Sequence, residues 1–242
     1  MMTPAVETTP DTTQLPRIDV LNAGHVVLEA WSGSDLSIVN SARVSFDQES
    51  TEFGDRERGL INFLMRERHG TPFEAPTFRF DVRAPIFVIR EHFRHRVGHS
   101  YNEESGRYSK IKSDYYVPAR SDIRMQTGKP GSYEFRLIEN DEVANEALRL
   151  IDDTQGAAFE AYERMLELGV AKEVARTVLP VGTFSRFKWG CNLRSLLHFL
   201  ALRNHPHAQR EIRYFAEAIE ELARPVCPIA FELFEEHGRV AP

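Results

Sequence analysis

PTFRFDVRAPIFVIREHFRHRVGHSYNEESGRYSK, residues 76–110, changes its periodicity twice, and the fold class follows from those changes. Phe78, Phe80 and Val82 alternate with Thr77, Arg79 and Asp81, the two-residue period of a strand that buries one face. At Pro85 the period lengthens. Proline suits the first position of a helix, and IFVIREHFRHRV continues one. GHSYNEESGRYSK then reads as a polar loop whose backbone N–H groups and hydroxyls are available to a ligand. A strand, a helix and a polar loop in one passage predict a domain of mixed α and β type.

Upstream, RIDVLNAGHVVLEAW (17–31) is two β-rich runs around Asn22, Ala23 and Gly24, which predicts a hairpin with Asn22 and Gly24 as turn formers. DLSIVNSARVSF predicts a short helix capped by Ser34, with Leu36, Val39 and Ala42 on one side. A second helix over 55–69 groups Leu60, Phe63 and Leu64 and stops at Gly70. Downstream, KSDYYVPARSDIRMQTGKPGSYEF is extended, and residues 139–168 form a long amphipathic helix. NLRSLLHFLALR predicts a helix that Leu193, Leu196, Leu197, Leu200 and Leu202 bury almost all round. NHP (204–206) predicts a break and a new helix begun by Pro206 and running to Pro225. The expected fold is α+β: one domain over 17–242, a β-sheet flanked by helices, behind a flexible tail at 1–16.

The chain has 242 residues, 42% hydrophobic and 27% charged, a globular composition long enough to bury a core without staples. Lys+Arg of 30 against Asp+Glu of 36 leaves −6, a field that repels polyanions and disfavours general nucleic-acid binding. Cys191 and Cys227 have no CxxC partner, so they frame neither a disulfide scaffold nor a structural zinc site. A reducing, cytoplasmic setting fits. The first residues lack Lys, Arg and an apolar core, and no run approaches 18 apolar residues, so neither a secretory signal nor a membrane partner is expected.

Arg90, Arg94, Arg96 and Arg107 crowd one segment with His92, His95 and His99. On a helix Arg90 and Arg94 share a face while Arg96 points away, which suits two separate phosphate-bearing ligands gripped by planar guanidinium forks. A solvated basic face paired with Glu91, Glu103 and Glu104 fits the spacing equally well. Two further readings stay open. Glu91, His95 and His99 at i, i+4 and i+8 would line one helical face as metal ligands, which would suit a metallohydrolase. Phe93, Tyr101 and Tyr108 among the arginines would suit a module that stacks single-stranded nucleic acid. The phosphate patterns GxGxxG and GxxxxGK[ST] and the GxSxG elbow are absent. A second polar cluster, Asn192, Arg194, His198, Arg203 and His207, sits in the leucine-rich helix and beyond its end, where such groups need a ligand or a carboxylate such as Glu211.

These residues resemble the flavin-dependent thymidylate synthases, the ThyX family. The family signature is RHR, a short spacer and Ser; here it resembles Arg94, His95 and Arg96 followed by SYNEESGRY. LSIVNSARVSFD, HGTPFEAPTFRF, APIFV, KEVARTVLP, NLRSLLHFLALR and HAQREI are similar to the flanking blocks, and no metal belongs to the resemblance. It implies reductive methylation of dUMP to dTMP, with methylenetetrahydrofolate giving the carbon and NADPH the hydride through bound FAD, in a homotetramer with shared active sites. By the same resemblance Thr71, Glu74, Arg94, His95, Arg96, Glu103, Asn192, Arg194 and His198 would contact FAD. Glu91, His92, Phe93, Arg94, Glu103, Glu104, Ser105, Gly106, Arg107, Arg176 and Arg203 would contact dUMP, and His69 would lie near flavin and folate. Arg203 would be catalytic, stabilising charge on the pyrimidine as N3 ionises, in place of a cysteine thiolate. Two departures stand out: the spacer before Ser105 is one residue longer than usual, which predicts a bulge before Ser100, and Glu91 replaces a common Gln.

Overall fold

The computed structural model describes residues 15–46, 48–129 and 132–242, so the expected tail falls almost wholly outside the described residues. The strands are β1 (Arg17–Val20), β2 (Gly24–Ser32), β3 (Thr77–Pro85), β4 (His99–Glu103), β5 (Arg124–Lys129), β6 (Ser132–Leu137) and β7 (Phe184–Asn192). The helices are α1 (Asp35–Arg43), α2 (Asp55–Arg66), α3 (Ile86–His92), α4 (Asp141–Glu167), α5 (Lys172–Ala175), α6 (Leu193–Arg203), α7 (Arg210–Ala223) and α8 (Pro228–Glu236). Five strands form one antiparallel sheet in the order β1-β2-β3-β7-β4, and β5 and β6 pair separately. The architecture is the expected α+β sheet with helices packed against it.

The alternation read in residues 77–85 builds the centre of the sheet. Phe78, Phe80, Val82 and Ala84 turn inward and join Phe187 and Trp189 of β7, Phe199 of α6 and Phe215 of α7 in one core. Asp81 faces the other way yet is 3% exposed. Arg186 donates to it bidentately and Lys188 adds an ion pair, so its carboxyl is held far below the usual carboxylate range against the opposing effect of burial.

Several local expectations need correction, each for a steric or packing reason. In the β1–β2 turn it is Leu21, at φ 59, that takes the left-handed conformation. Gly24 instead begins β2, where a Cβ would press on the Arg83 and Val20 carbonyls. Ser34 caps α1 as expected, but the buried face is Asp35, Ile38 and Val39. Asp35 is buried because its carboxylate accepts the Ile229 and Ala230 N–H groups at the start of α8. Helix α2 ends at Arg66 with Arg68 at φ 58, so Gly70 is not its stop, and Phe63 lies on the outside. Pro85 caps α3 from the end of β3 instead of standing inside the helix.

The larger correction concerns residues 93–103. Helix α3 stops at His92, the chain turns through 93–98, and His99–Glu103 pairs residue for residue with β7 without a bulge. The turn before the strand has Gly98 at φ 72. Pro206 lies in a turn, and α7 starts only at Arg210 and ends at Ala223. No helix among the described residues is long and apolar enough to cross a membrane.

Candidate functional site

The turn after α3 and the exposed side of α6 enclose a cleft of about 560 Å³. Arg94, His95 and Arg96 line one wall, and Asn192, Arg194 and His198 line the other. Asn192 is positioned because it caps α6, accepting the Ser195 N–H at 2.9 Å. Arg194 is held from two sides: its Nε donates to the Pro242 carbonyl at 3.2 Å and its Nη1 to Glu74 at 2.8 Å. Two glycines make room. A Cβ on Gly70 would run into the Arg194 guanidinium, and one on Gly98 would collide with Ser195 Oγ, which donates to the Val97 carbonyl.

The cleft histidines are neutral near pH 7. Burial and then the positive charge of Arg203 push His95 down to about 4, and burial with His198 nearby pushes His99 down to about 4. Their tautomers follow from their partners. Trp189 Nε1 donates to His99 Nδ1 at 2.9 Å, so the His99 proton is on Nε2. Arg203 Nε donates to His95 Nε2 at 3.0 Å, so the His95 proton is on Nδ1. The remaining Arg203 contacts go to Glu91: Nη1 to its carboxylate at 3.0 Å and Nη2 to its carbonyl at 3.2 Å. Arg203 is therefore clamped against the end of α3 beside the cleft and does not project freely into it. Burial raises the Glu91 carboxyl although Arg203 opposes the rise.

A second, smaller cavity of about 130 Å³ lies at the start of α3 and the far end of β4. Glu103, Glu104, Gly106, Arg176, Thr183 and Ser185 contribute to its lining, together with Ile86, Ile111, Leu179 and Phe184. Ser185 Oγ donates to Glu103 at 2.7 Å, and the Arg186 N–H donates to Glu104 at 3.0 Å, which fixes both carboxylates on β7. His99 and Glu103 stand at opposite ends of β4, roughly 13 Å apart, so one strand carries residues of both cavities.

Comparison with known proteins decides the family. The family model described as thymidylate synthase complementing protein matches residues 26–229. A flavin-dependent thymidylate synthase of Streptomyces avermitilis is 45% identical, covering 90% of this chain and 93% of that one. A Thermus thermophilus protein of the same description is 44% identical over 91% of this chain and 78% of its own. A crystal structure of a UMP/dUMP methylase PolB from Streptomyces cacaoi, bound with 5-Br dUMP, superimposes with a TM-score of 0.84 at 42% identity, covering 93% of this chain and all of that one. This chain belongs to the flavin-dependent thymidylate synthase family. Membership makes it a flavin-dependent enzyme of thymidylate synthesis.

Against the site expected of a flavin-dependent thymidylate synthase, the geometry sorts the residues into groups. Glu74, Arg94, His95, Arg96, Asn192, Arg194 and His198 share the first cleft, while Thr71 and His69 are exposed nearby, His69 with its ring edge on Phe63. Glu103 is not with them; it lines the second cavity with Glu104, Gly106 and Arg176. Ser105 accepts the Arg107 N–H, and the Arg107 side chain turns outward to Glu173. His92 and Phe93 reach neither cavity with their rings: His92 packs on Trp189 and Phe199, each at 4.5 Å between centroids, and Phe93 packs on Tyr101.

Several sequence readings dissolve in this geometry. The Glu91, His95, His99 face does not exist, because the helix ends at His92 and His99 starts a strand; among the described residues no His, Cys, Asp and Glu cluster is arranged for a metal. The stacking platforms are not a surface, since Phe93 and Tyr101 pack on each other and on Phe187 and only Tyr108 of the three is exposed. His207 is exposed and outside the cleft. Glu211 is bonded to Tyr116 and Gln209 and does not partner Arg203. Leu202, expected to be buried, is 63% exposed and lines the cleft, so α6 has an open face. The sequence motifs leave out Gly98, His99 as a cleft residue, Thr183 and Ser185; the one signal for the last two is their alternation about Phe184.

Proposed function

We propose that this chain carries out the reductive methylation of dUMP to dTMP, with FAD in the first cleft, dUMP reaching from the second cavity toward Arg203, and methylenetetrahydrofolate and NADPH as co-substrates. One observation carries it: three arginines and three neutral histidines meet in a cleft opened by Gly70 and Gly98. Arg94, Arg96 and Arg194 suit a pyrophosphate, and the neutral imidazoles with Asn192 suit an uncharged heterocycle, so the donor set fits FAD. FAD, when bound, supplies the hydride chemistry that no side chain offers.

Arg203 uses three of its N–H donors on Glu91 and His95, which leaves two of the guanidinium's five for a pyrimidine. In that role it stabilises negative charge as N3 loses its proton, and Glu91 and His95 hold it in place. Neither thiol suits nucleophilic attack: Cys191 and Cys227 are buried, and burial pushes both far above the ordinary thiol value. A homotetramer with shared active sites belongs to the same reading. It is supported by the division of the expected contacts between two cavities and by Arg107, whose guanidinium points to Glu173. The domain over 17–242 and a cytoplasmic setting complete it. Dialysed protein titrated with FAD should show saturable quenching of flavin fluorescence, and absence of saturation overturns the proposal.

A further inference from the structure

After helix α8 the chain doubles back to the first cleft along a path fixed at several points. The reversal is a helix-end turn: the His237, Gly238 and Arg239 N–H groups donate to the Leu233, Glu235 and Phe234 carbonyls, with Gly238 at φ 67 and Arg239 at φ 60. A residue other than glycine takes that left-handed conformation at a cost, so Arg239 needs holding. Its guanidinium donates to both carboxylate oxygens of Glu220, at 3.0 and 2.6 Å, and lies over the Phe234 ring, 4.9 Å from the centre. Glu220 is itself buried, and a bidentate pair to a buried carboxylate has little freedom. Two residues further on, Ala241 joins the core that the sheet and helices share. Pro242, also buried, is thereby delivered to the wall of the cleft.

What it meets there is Arg194. The Pro242 carbonyl accepts the Arg194 Nε–H at 3.2 Å, Glu74 accepts from Nη1 at 2.8 Å, and the guanidinium lies so close to Gly70 that a Cβ there would collide with it. Both hydrogens of Nη2 and one of Nη1 remain for a ligand. Burial and then Arg194 lower the proton affinity of His198, and the Pro242 carbonyl opposes them, so one oxygen stands beside both cleft residues. A free arginine side chain loses rotamer freedom when it grips a ligand, whereas one already clamped has lost it beforehand.

We propose that residues 239–242 are a positioning strap of the flavin site, the Pro242 carbonyl fixing the Arg194 guanidinium so that its remaining N–H donors are set for the diphosphate of FAD. The inference rests on reading the first cleft as the FAD site. Pro242 acts through Arg194 and touches no reacting atom, so it is a positioning residue.

The test is a double-mutant cycle read by flavin fluorescence titration, in which a variant lacking residues 240–242, Arg194→Ala and their combination are compared with the unaltered chain. Loss of 240–242 should weaken FAD binding about three- to tenfold, the usual worth of one side chain held in advance. With Arg194 already alanine, the same loss should change FAD binding by less than about twofold. Arg239→Ala loosens the strap without shortening the chain and leaves Glu220 paired with Asn204 and Arg224. It should weaken FAD binding in the same Arg194-dependent way, and it decides the matter if the shortened chain does not fold. A merely structural strap would lower the melting temperature and cost the same FAD affinity in both backgrounds, and that result overturns the inference. Tighter FAD binding by the strap variants also overturns it, since the segment would then obstruct the cleft. Failure of the unaltered protein to bind FAD overturns the reading of the cleft and the inference with it; normal FAD binding by the unaltered protein and by both strap variants overturns the inference alone.

Discussion

At Arg203 a guanidinium is fixed by a carboxylate, a carbonyl and an imidazole within hydrogen-bond distance. Removing it should lower dTMP formation about 100- to 1,000-fold, the usual cost of losing one preorganised donor to developing charge. FAD affinity should change little, because Arg203 is not among the cleft-lining side chains. Flavin titration, melting temperature and turnover on Arg203→Ala check this together; near-normal turnover in a folded, flavin-loaded variant removes Arg203 from the reaction. Glu91→Gln keeps a hydrogen-bond acceptor for Arg203 while removing a negative charge from the nucleotide's surroundings. It should lower the KM for dUMP roughly two- to fivefold with kcat nearly unchanged, since repulsion across a partly hydrated site is modest. An unchanged or raised KM in steady-state kinetics contradicts that placement of Glu91.

At the level of elements, legibility in the sequence follows the strength of the apolar period. The 77–85 strand is plain because Phe78, Phe80 and Val82 alternate with polar residues. The His99–Glu103 strand is hidden, because an edge strand carrying His, Ser, Asn and Glu has no apolar alternation to display and its only signal is pairing with β7. The same blindness produces the helical metal face. Leucines at 193, 196, 197 and 200 correctly mark a buried helix, but composition does not say that Leu202 and His198 face a cleft. The RHR turn is legible as a motif, whereas its shape depends on Gly98. Gly98→Ala meets both a left-handed φ of 72 and the Ser195 hydroxyl, so it should weaken FAD binding about tenfold or more without unfolding the sheet. Unaltered flavin affinity by fluorescence titration would show that the turn tolerates a side chain.

For the whole molecule, buried histidines couple stability to pH, His95 and His99 of the cleft among them. Both fall to about 4 in the folded chain, below the ordinary 6.5. Between those values the unfolded chain binds more protons than the folded one, so stability is level above about pH 6.5 and declines as pH drops toward 4. Thermal melts from pH 7.5 to 4.5 should show that decline, and replacing His95 and His99 by Gln should make it shallower, with His92 and His198, which burial also lowers, carrying the rest. An equally steep decline in the double variant assigns the effect to other groups.

In the reading proposed above, thymidylate forms by flavin chemistry around Arg203 and needs no cysteine nucleophile. Cys191 is buried in the core and Cys227 is the residue before α8, where serine is a favoured cap. The most direct measurement is dTMP formation from dUMP, methylenetetrahydrofolate and NADPH by the Cys191→Ala, Cys227→Ser double variant, with and without FAD. Sustained, FAD-dependent dTMP formation is the predicted result. Loss of dTMP formation in a double variant that still folds and holds FAD, or dTMP formation that proceeds without FAD, would contradict the account.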